Sequence, residues 1–382
     1  MFGSVSKVKV AVVGCGYWGQ NLIRNFSELP DVEVAAVCDF NLNALARTKR
    51  RFPTVELAQD FQQIVADSRI HAIVLATPVS THYPFACQAL RAGKHVLVEK
   101  PLATSTTQVL DLMELAEKHN RVLMVDHTFL YTGAVRRMRS IIGSGEVGQL
   151  LYFDSVRISL GLVQSDINVI WDLAPHDFSI MDYLCSESPV AVSAVGTKHL
   201  GCPFENIAYV TAHFESKMIA HFHLNWLAPV KMRKTLVGGT SRMIVYDDME
   251  KVEKVRVYDK GVELCHDPEG RERMMASYRN GDVIVPNLDS SEALRLMAAE
   301  FIDSIVQRRL PISDGYAGYR VVRLLEAAQR SIQSNGQPVE LADYAGARKV
   351  EDPALAAVAR DPAQIAQQAF FNFLLRMLRK QP

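Results

Sequence analysis

Hydrophobic positions in the first third of the chain fall into short continuous runs separated by amphipathic stretches. "KVKVAVVG" (7–14), "VEVAAVCD" (32–39), "HAIVLATP" (71–78), "HVLVEKP" (95–101) and "VLMVDH" (122–127) have the length and β-branched content of buried strands. Between them, "YWGQNLIRNFSEL" (17–29), "HYPFACQALRAG" (82–93) and "TQVLDLMELAEKHN" (107–120) show helical spacing of apolar residues. Strands alternating with helices predict βαβ units on a parallel sheet. Beyond residue 148 the pattern changes. "LLYFDSVRISL", "VAVSAVGTKHL", "IAYVTAHFE", "MIAHFHLNWL", "KTLVGGTSRMIVYDD" and "VEKVRVYD" alternate apolar and polar positions and are joined by short turns, as an antiparallel sheet requires. Helices are predicted over 290–308 and 316–334, the first opened by a capping box from Asp289 to Glu292.

The pattern therefore divides the chain in three. Residues 1–125 read as an α/β domain on a parallel sheet, 126–341 as an α+β domain with an open, mostly antiparallel sheet, and 342–382 as a helical extension; the chemistry below makes the first a dinucleotide-binding domain and the second the expected substrate and oligomerisation domain. At 382 residues the chain is too long for one core to be the default. In the extension, Ile365, Ala369, Phe373 and Met377 line up with Ala366, Phe370, Leu374 and Leu378 as one apolar stripe, with Arg376, Arg379 and Lys380 clustered near its end. A stripe of this kind is expected to be covered by protein, at a subunit contact, rather than by a membrane.

The first βα turn carries chemistry. Gly14, Gly16 and Gly19 have the spacing G-x-G-x-x-G, follow a strand and open a helix. Gly14 permits the sharp turn, Gly16 lets backbone amides approach a pyrophosphate, and Gly19 lets the helix pack on the strand. The helix N-terminus, which begins with Tyr17 and Trp18, offers unpaired N–H groups to phosphates. Asp39 ends the second strand twenty positions after Gly19, where a carboxylate accepts from ribose hydroxyls and repels a 2′-phosphate. Phe40, Asn41 and Leu42 follow it without an arginine, although Arg47, Lys49 and Arg50 lie further on. The expected cofactor is NAD.

Composition narrows the remaining classes. Lys plus Arg equals Asp plus Glu, and the net charge of zero leaves no basic field to gather nucleic acid. Six cysteines are scattered without a C-x-x-C pair, which reads as reduced thiols in a cytoplasmic protein. His221 and His223 alternate on one side of a strand, but no further ligand is evident, so no metal site is expected.

At "EKP" (99–101) the sequence resembles the Gfo/Idh/MocA oxidoreductases. The resemblance rests on "GCGYWG" (14–19), "LATPVSTH" (75–82), "EKPLA" (99–103) and "WDLAPHDFSIMDYL" (171–184), and covers about the first 340 residues. It implies a Rossmann domain followed by an α+β domain, a nicotinamide cofactor, and a sugar, polyol or related substrate. The "EKP" lysine corresponds to Lys100, and the D-x-x-x-H pair to Asp172 and His176. Their chemistry suits those roles. Lys100 ends a buried strand, where parallel sheets bind ligands, and a lysine there can hold and polarise a reacting oxygen. Asp172 and His176 share a helix face, so the carboxylate can position a partner while the imidazole moves a proton.

Further residues complete the expected site. Thr77 and Pro78 end the strand beside the nicotinamide pocket. His82 reads equally as a cofactor contact or as a residue that starts the next helix. Glu99 either touches the nicotinamide ribose or pairs with a neighbour, and His127 either lines or supports the substrate pocket. "LGLVQSDINVIWDLAPHD" and "NWLAPVKMRK" resemble the branch of the family that acts on nucleotide-linked sugars. Gln164, Asp166 and Asn168 would read sugar hydroxyls or an N-acetyl group, Lys231 and Arg233 a pyrophosphate, and Trp226 a sugar or base. The expected activity is oxidation of a ring hydroxyl, such as that at C3, of a UDP-N-acetyl-hexosamine-like substrate. Three alternatives stay open: reduction of a nucleotide-linked keto-sugar, an inositol-type polyol dehydrogenase, and a regulator that binds nicotinamide without catalysis. The expected partner besides substrate is a second copy of the chain through the C-terminal sheet; neither nucleic acid nor membrane is expected.

Overall fold

The computed structural model describes residues 7–160, 166–259, 261–265, 275–279 and 281–342. Six strands, β1 (Val8–Val13), β2 (Val32–Cys38), β3 (Glu56–Ala58), β4 (Ala72–Leu75), β5 (His95–Val98) and β6 (Leu123–Val125), form one sheet in the order β3-β2-β1-β4-β5-β6. Every pair in it is parallel. The connections are α1 (Tyr17–Ser27), α2 (Leu42–Arg51), α3 (Phe61–Ala66), α4 (Val79–Arg91) and α5 (Thr106–Lys118). This strand order is that of dinucleotide-binding folds, in which ligands sit beyond the carboxyl ends of the strands. Val10, Val12, Ile73, Val74, Leu75 and Leu97 are fully buried, because helices cover both faces of the sheet.

A 3-10 turn (Thr128–Tyr131) and α6 (Gly133–Gly143) lead into the second sheet. Its strands are β7 (Leu150–Ile158), β8 (Ala191–Thr197), β9 (Ile207–His213), β10 (Ile219–Asn225), β11 (Met232–Gly239), β12 (Met243–Asp247) and β13 (Val255–Tyr258). A hairpin of β14 (Gly261–Cys265) and β15 (Met275–Arg279) stands apart, while β16 (Val283–Ile284) and β17 (Val339–Glu340) join the edges. The order is β16-β13-β12-β11-β7-β10-β9-β8-β17, antiparallel throughout except for the parallel pair β7–β10. Helix α7 (Val169–Leu184) lies on the buried face, with Phe178 of α7 edge-on to Phe222 of β10 at 4.8 Å between ring centroids. On the opposite face Val195, Tyr209 and Ile219 are exposed, and Tyr209 stacks with His221 and His223 at 6.1 and 4.7 Å. The two histidines thus serve ring packing. Among the described residues no group of His, Cys, Asp and Glu is arranged to hold a metal, and no helix is long and apolar enough to cross a membrane.

The last helices return to the first sheet. Helix α8 (Ala293–Gln307) packs beside α1, and α9 (Gly315–Gln333) packs on both α5 and α7. The backbone of Val125 donates to Ser313 O at 2.8 Å, which ties the end of β6 to the entry of α9. The capping box expected at Asp289–Glu292 does not form. Asp289 accepts from the Ser291 amide at 2.9 Å, whereas Glu292 turns to α1 and binds Arg24 at 2.5 and 3.0 Å and Asn25 at 3.2 Å. A partly exposed ion pair to α1 stands in place of the local side-chain–backbone cap, a gain of at most about 1 kcal/mol. The expected extension from 342 onward lies outside the described residues apart from Ala342.

Candidate active site

Two neighbouring depressions open at the carboxyl ends of the parallel strands. The first, about 520 Å3, is lined by Gly14, Gly16, Asp39, Phe40, Asp60, Thr77 and Pro78, among others. Gly14 has φ +89°, and a Cβ there would stand 2.4 Å from Ala76 O, so only glycine makes this turn. A Cβ on Gly19 would meet Gly14 O at 2.0 Å, which fixes how closely α1 packs on the turn, while Gly16 faces open space. Asp39 is locked at the rim by two backbone donors, Cys15 N–H at 2.8 Å and Asn41 N–H at 2.8 Å. The volume lies inside the roughly 300–1,000 Å3 range of ligand sites. Glycine-lined backbone, a fixed carboxylate and a helix N-terminus fit the phosphates and adenosine ribose of a dinucleotide. Of the cations after Asp39, Lys49 is turned away onto Val55 O at 2.7 Å, and Arg47 does not line the cleft. Asp39→Ala should therefore weaken NAD binding at least several-fold while relieving the repulsion of NADP; titration of both cofactors checks this, with unchanged NAD affinity as the contrary result.

The second depression, about 220 Å3, is lined by Trp18, Glu99, Lys100, Asp126, Thr128, Phe129, Thr132, His176 and Arg233. Lys100 enters it from the end of β5. Asp172 and His176 come from the first two turns of α7, which is started by Asn168 as its cap: the Asn168 side chain accepts from Ile170 and Trp171 N–H. The Lys100 ammonium reaches Asp172 O at 2.7 Å and Asp172 Oδ1 at 3.2 Å. The other carboxylate oxygen of Asp172 accepts from Trp226 Nε1 at 3.1 Å. The lysine is thus aimed by a carboxylate that is itself aimed by an indole.

His176 stands edge-on to Phe129 at 5.1 Å between ring centroids. Behind them Arg157 and Asp177 form a buried two-pronged pair at 2.7 and 2.9 Å, with the guanidinium 4.7 Å over the Phe129 ring. Burial, followed by the charges of Lys100, Arg157 and Arg233, holds the His176 imidazole well below its ordinary range. It is neutral at neutral pH and can accept a proton. Glu99 shows the opposite shift. Burial and the nearby Asp126 carboxylate push its carboxyl well above the ordinary range, and its Oε2 accepts from Lys100 N–H at 3.2 Å. Asp126 is itself raised by burial and held by the Thr128 hydroxyl.

Several residues expected at the site lie behind or beside it. His82 is only 1% exposed, inside α4, with one ring nitrogen 2.8 Å from Pro101 O and the other 2.8 Å from Thr77 O. It braces the loops on either side of the site and does not face the cofactor cleft. His127 is buried with neither ring nitrogen hydrogen-bonded, and burial drives its imidazole down to about 3. It supports the pocket from behind and does not line it. Asn168 is buried: its amide oxygen caps α7 and its amide nitrogen donates to Glu205 at 2.9 Å and Gln329 at 2.6 Å. Trp226, 2% exposed, donates to Asp172. Tyr17 is 80% exposed and lines neither depression, whereas Trp18 lines the smaller one. Lys231 and Asp166 are exposed and line neither depression, Arg233 lines the smaller one, and Gln164 lies outside the described residues. The sequence reading missed Asp126, Thr128 and Phe129, which follow directly on β6. It also missed the Arg157–Asp177 pair, whose signal was an arginine at an inward position of the alternating strand "FDSVRI".

Comparison with known proteins decides the family. The description "Oxidoreductase family, NAD-binding Rossmann fold" matches residues 8–127, and the C-terminal domain of the same family matches 135–245. The chain belongs to the Gfo/Idh/MocA oxidoreductase family. An uncharacterized oxidoreductase of Escherichia coli is 30% identical over 44% of this chain, and the match spans 51% of that relative. A UDP-N-acetylglucosamine 3-dehydrogenase of Acidithiobacillus ferrooxidans is 24% identical over 82% of this chain and 94% of its own length. Among solved structures, a levoglucosan dehydrogenase in complex with NADH superposes with a TM-score of 0.76 at 18% identity, covering 89% of this chain and all of that one. This likeness is one of fold. The Gfo/Idh/MocA assignment makes the protein NAD-binding; Lys100 and His176 line the smaller depression, and Asp172 is bonded to the Lys100 ammonium.

Proposed function

We propose that the protein is an NAD-dependent dehydrogenase that oxidises a ring hydroxyl of a nucleotide-linked sugar. The observation that carries this reading is the convergence of Lys100 and His176 on one ring-sized cavity beside the dinucleotide cleft. The Lys100 ammonium holds the hydroxyl oxygen and stabilises the negative charge that develops on it. His176, neutral and partly enclosed, takes the hydroxyl proton. Asp172 keeps the ammonium pointed into the cavity, and Trp226 keeps Asp172 from rotating. Bound NAD supplies the acceptor for the hydride that leaves the carbon. Run in reverse, the same groups reduce a ketone, with His176 as proton donor and Lys100 on the carbonyl oxygen.

The sugar assignment is supported by the relative from Acidithiobacillus, a UDP-N-acetylglucosamine 3-dehydrogenase that aligns along nearly its whole length. The exposed Val195, Tyr209 and Ile219 on the open sheet face support pairing with a second copy of the chain. The ring position is tested with UDP-N-acetylglucosamine deuterated at C3. The expected result is label on the reduced nicotinamide and a slowed turnover; unlabelled NADH formed at normal speed contradicts oxidation at C3.

A further inference from the structure

A third cavity, about 730 Å3, adjoins the catalytic pocket, and Thr132 lines both. It is bounded by the start of α6, the turn from β12 to β13, and the segment from 285 to 293. None of the groups assigned to proton or hydride movement lies in it. The catalytic pocket, at about 220 Å3, is smaller than the roughly 300–1,000 Å3 of sites that enclose a whole ligand. One sugar ring suits that space; the remainder of a larger substrate needs the adjoining one.

Cations gather where the two cavities meet. Arg233 lines the catalytic pocket, and its Nη1 lies 3.4 Å from Oδ2 of Asp248, which lines the larger cavity. Lys254 joins the same carboxylate, with Nζ 2.9 Å from Asp248 O and 3.2 Å from Oδ1. Lys251 stands exposed on the cavity wall. Both carboxylates on the wall are engaged, Asp248 by these cations and Asp289 by the Ser291 amide at 2.9 Å. The wall also carries the apolar Val252 and Pro286, and the Asn287 amide, able to donate and to accept. A ring-sized reactive pocket joined to a cavity that offers a cation, apolar surface and an amide matches what sugar, diphosphate and nucleoside each require.

We propose that this cavity is the subsite for the nucleoside diphosphate of the substrate, with Lys251 at the diphosphate and Asn287 beside the nucleoside. The proposal rests on the reading that the substrate is a nucleotide-linked sugar. Binding energy collected here, remote from the reacting carbon, would hold the ring in place for oxidation.

The test is titration of the full-length, NADH-loaded protein with UDP, comparing wild type with Lys251→Glu and Asn287→Trp. Both positions are exposed, and unchanged NADH affinity reports that each variant is folded. The charge reversal and the filled cavity should each weaken UDP binding at least about tenfold, a change of ~1.4 kcal/mol. If UDP binds wild type and both variants within twofold, while UDP-linked sugars are turned over, the subsite is wrong and the functional reading stands. If wild type binds no UDP, dTDP or GDP and turns over only free polyols, the functional reading falls and the subsite with it.

Discussion

Lys100→Ala should lower turnover of the sugar substrate at least about a hundredfold, the low end of what one positioned acid or base supplies. The ammonium is the one cation bonded to Asp172 among the described contacts, at 2.7 and 3.2 Å to its backbone and side-chain oxygens. Its loss removes the group that stabilises the developing alkoxide. It also leaves Asp172, still fixed by Trp226, facing the hydroxyl as an uncompensated anion. Affinity for NADH should change little, since Lys100 does not line the larger cleft. Lys100→Arg should rescue poorly, because a planar guanidinium cannot occupy the same point between Asp172 and the ring. Single-turnover kinetics with saturating cofactor separates the two effects; near-normal turnover in Lys100→Ala would remove the lysine from the mechanism.

His176→Asn should cost a similar factor and, in addition, change the pH profile. Oxidation needs the imidazole neutral, so the rate falls as pH drops through its pKa. Burial and the surrounding cations hold that pKa well below the ordinary value of ~6.5. The wild-type rate should therefore stay level as pH falls through 6.5 and decline only in more acidic solution. In His176→Asn the residual rate should lose this acid-side decline. A wild-type profile that bends near 6.5 would mean that the catalytic base is a solvated group elsewhere.

The elements that carry the cofactor were legible because their pattern is redundant. The strands of the first sheet carry buried apolar runs broken only near their starts, by Lys9, Glu33 and His95, and glycine is forced at Gly14 and Gly19, where a Cβ would stand 2.4 and 2.0 Å from a backbone oxygen. The exception, β3, has three residues, two of them exposed, so it has no apolar run to read. In the catalytic pocket, Lys100, Asp172 and His176 could be named because the resemblance supplied three positions at once. What surrounds them could not. Whether a polar side chain faces a ligand or a protein neighbour depends on residues far away in sequence: Asn168 on Glu205 and Gln329, Trp226 on Asp172, Arg157 on Asp177. The same applies to His82 and His127, which end up buried beside the site because α4 and the 3-10 turn carry them behind its wall. Lys231 failed for a simpler reason. It precedes the first residue of β11 and is exposed, whereas Arg233, inside the strand, lines the pocket.

The central claim is that this site moves a hydride between a sugar ring carbon and nicotinamide. It is tested most directly by following NADH formation while the purified protein and NAD are offered UDP-, dTDP- and GDP-linked sugars and free polyols. Robust NADH formation is expected with a nucleotide-linked sugar, abolished in Lys100→Ala. Tight NAD binding with no cofactor reduction by any of these compounds, and no NADH consumption with their keto forms, would contradict it and mark the protein as a nicotinamide-binding regulator.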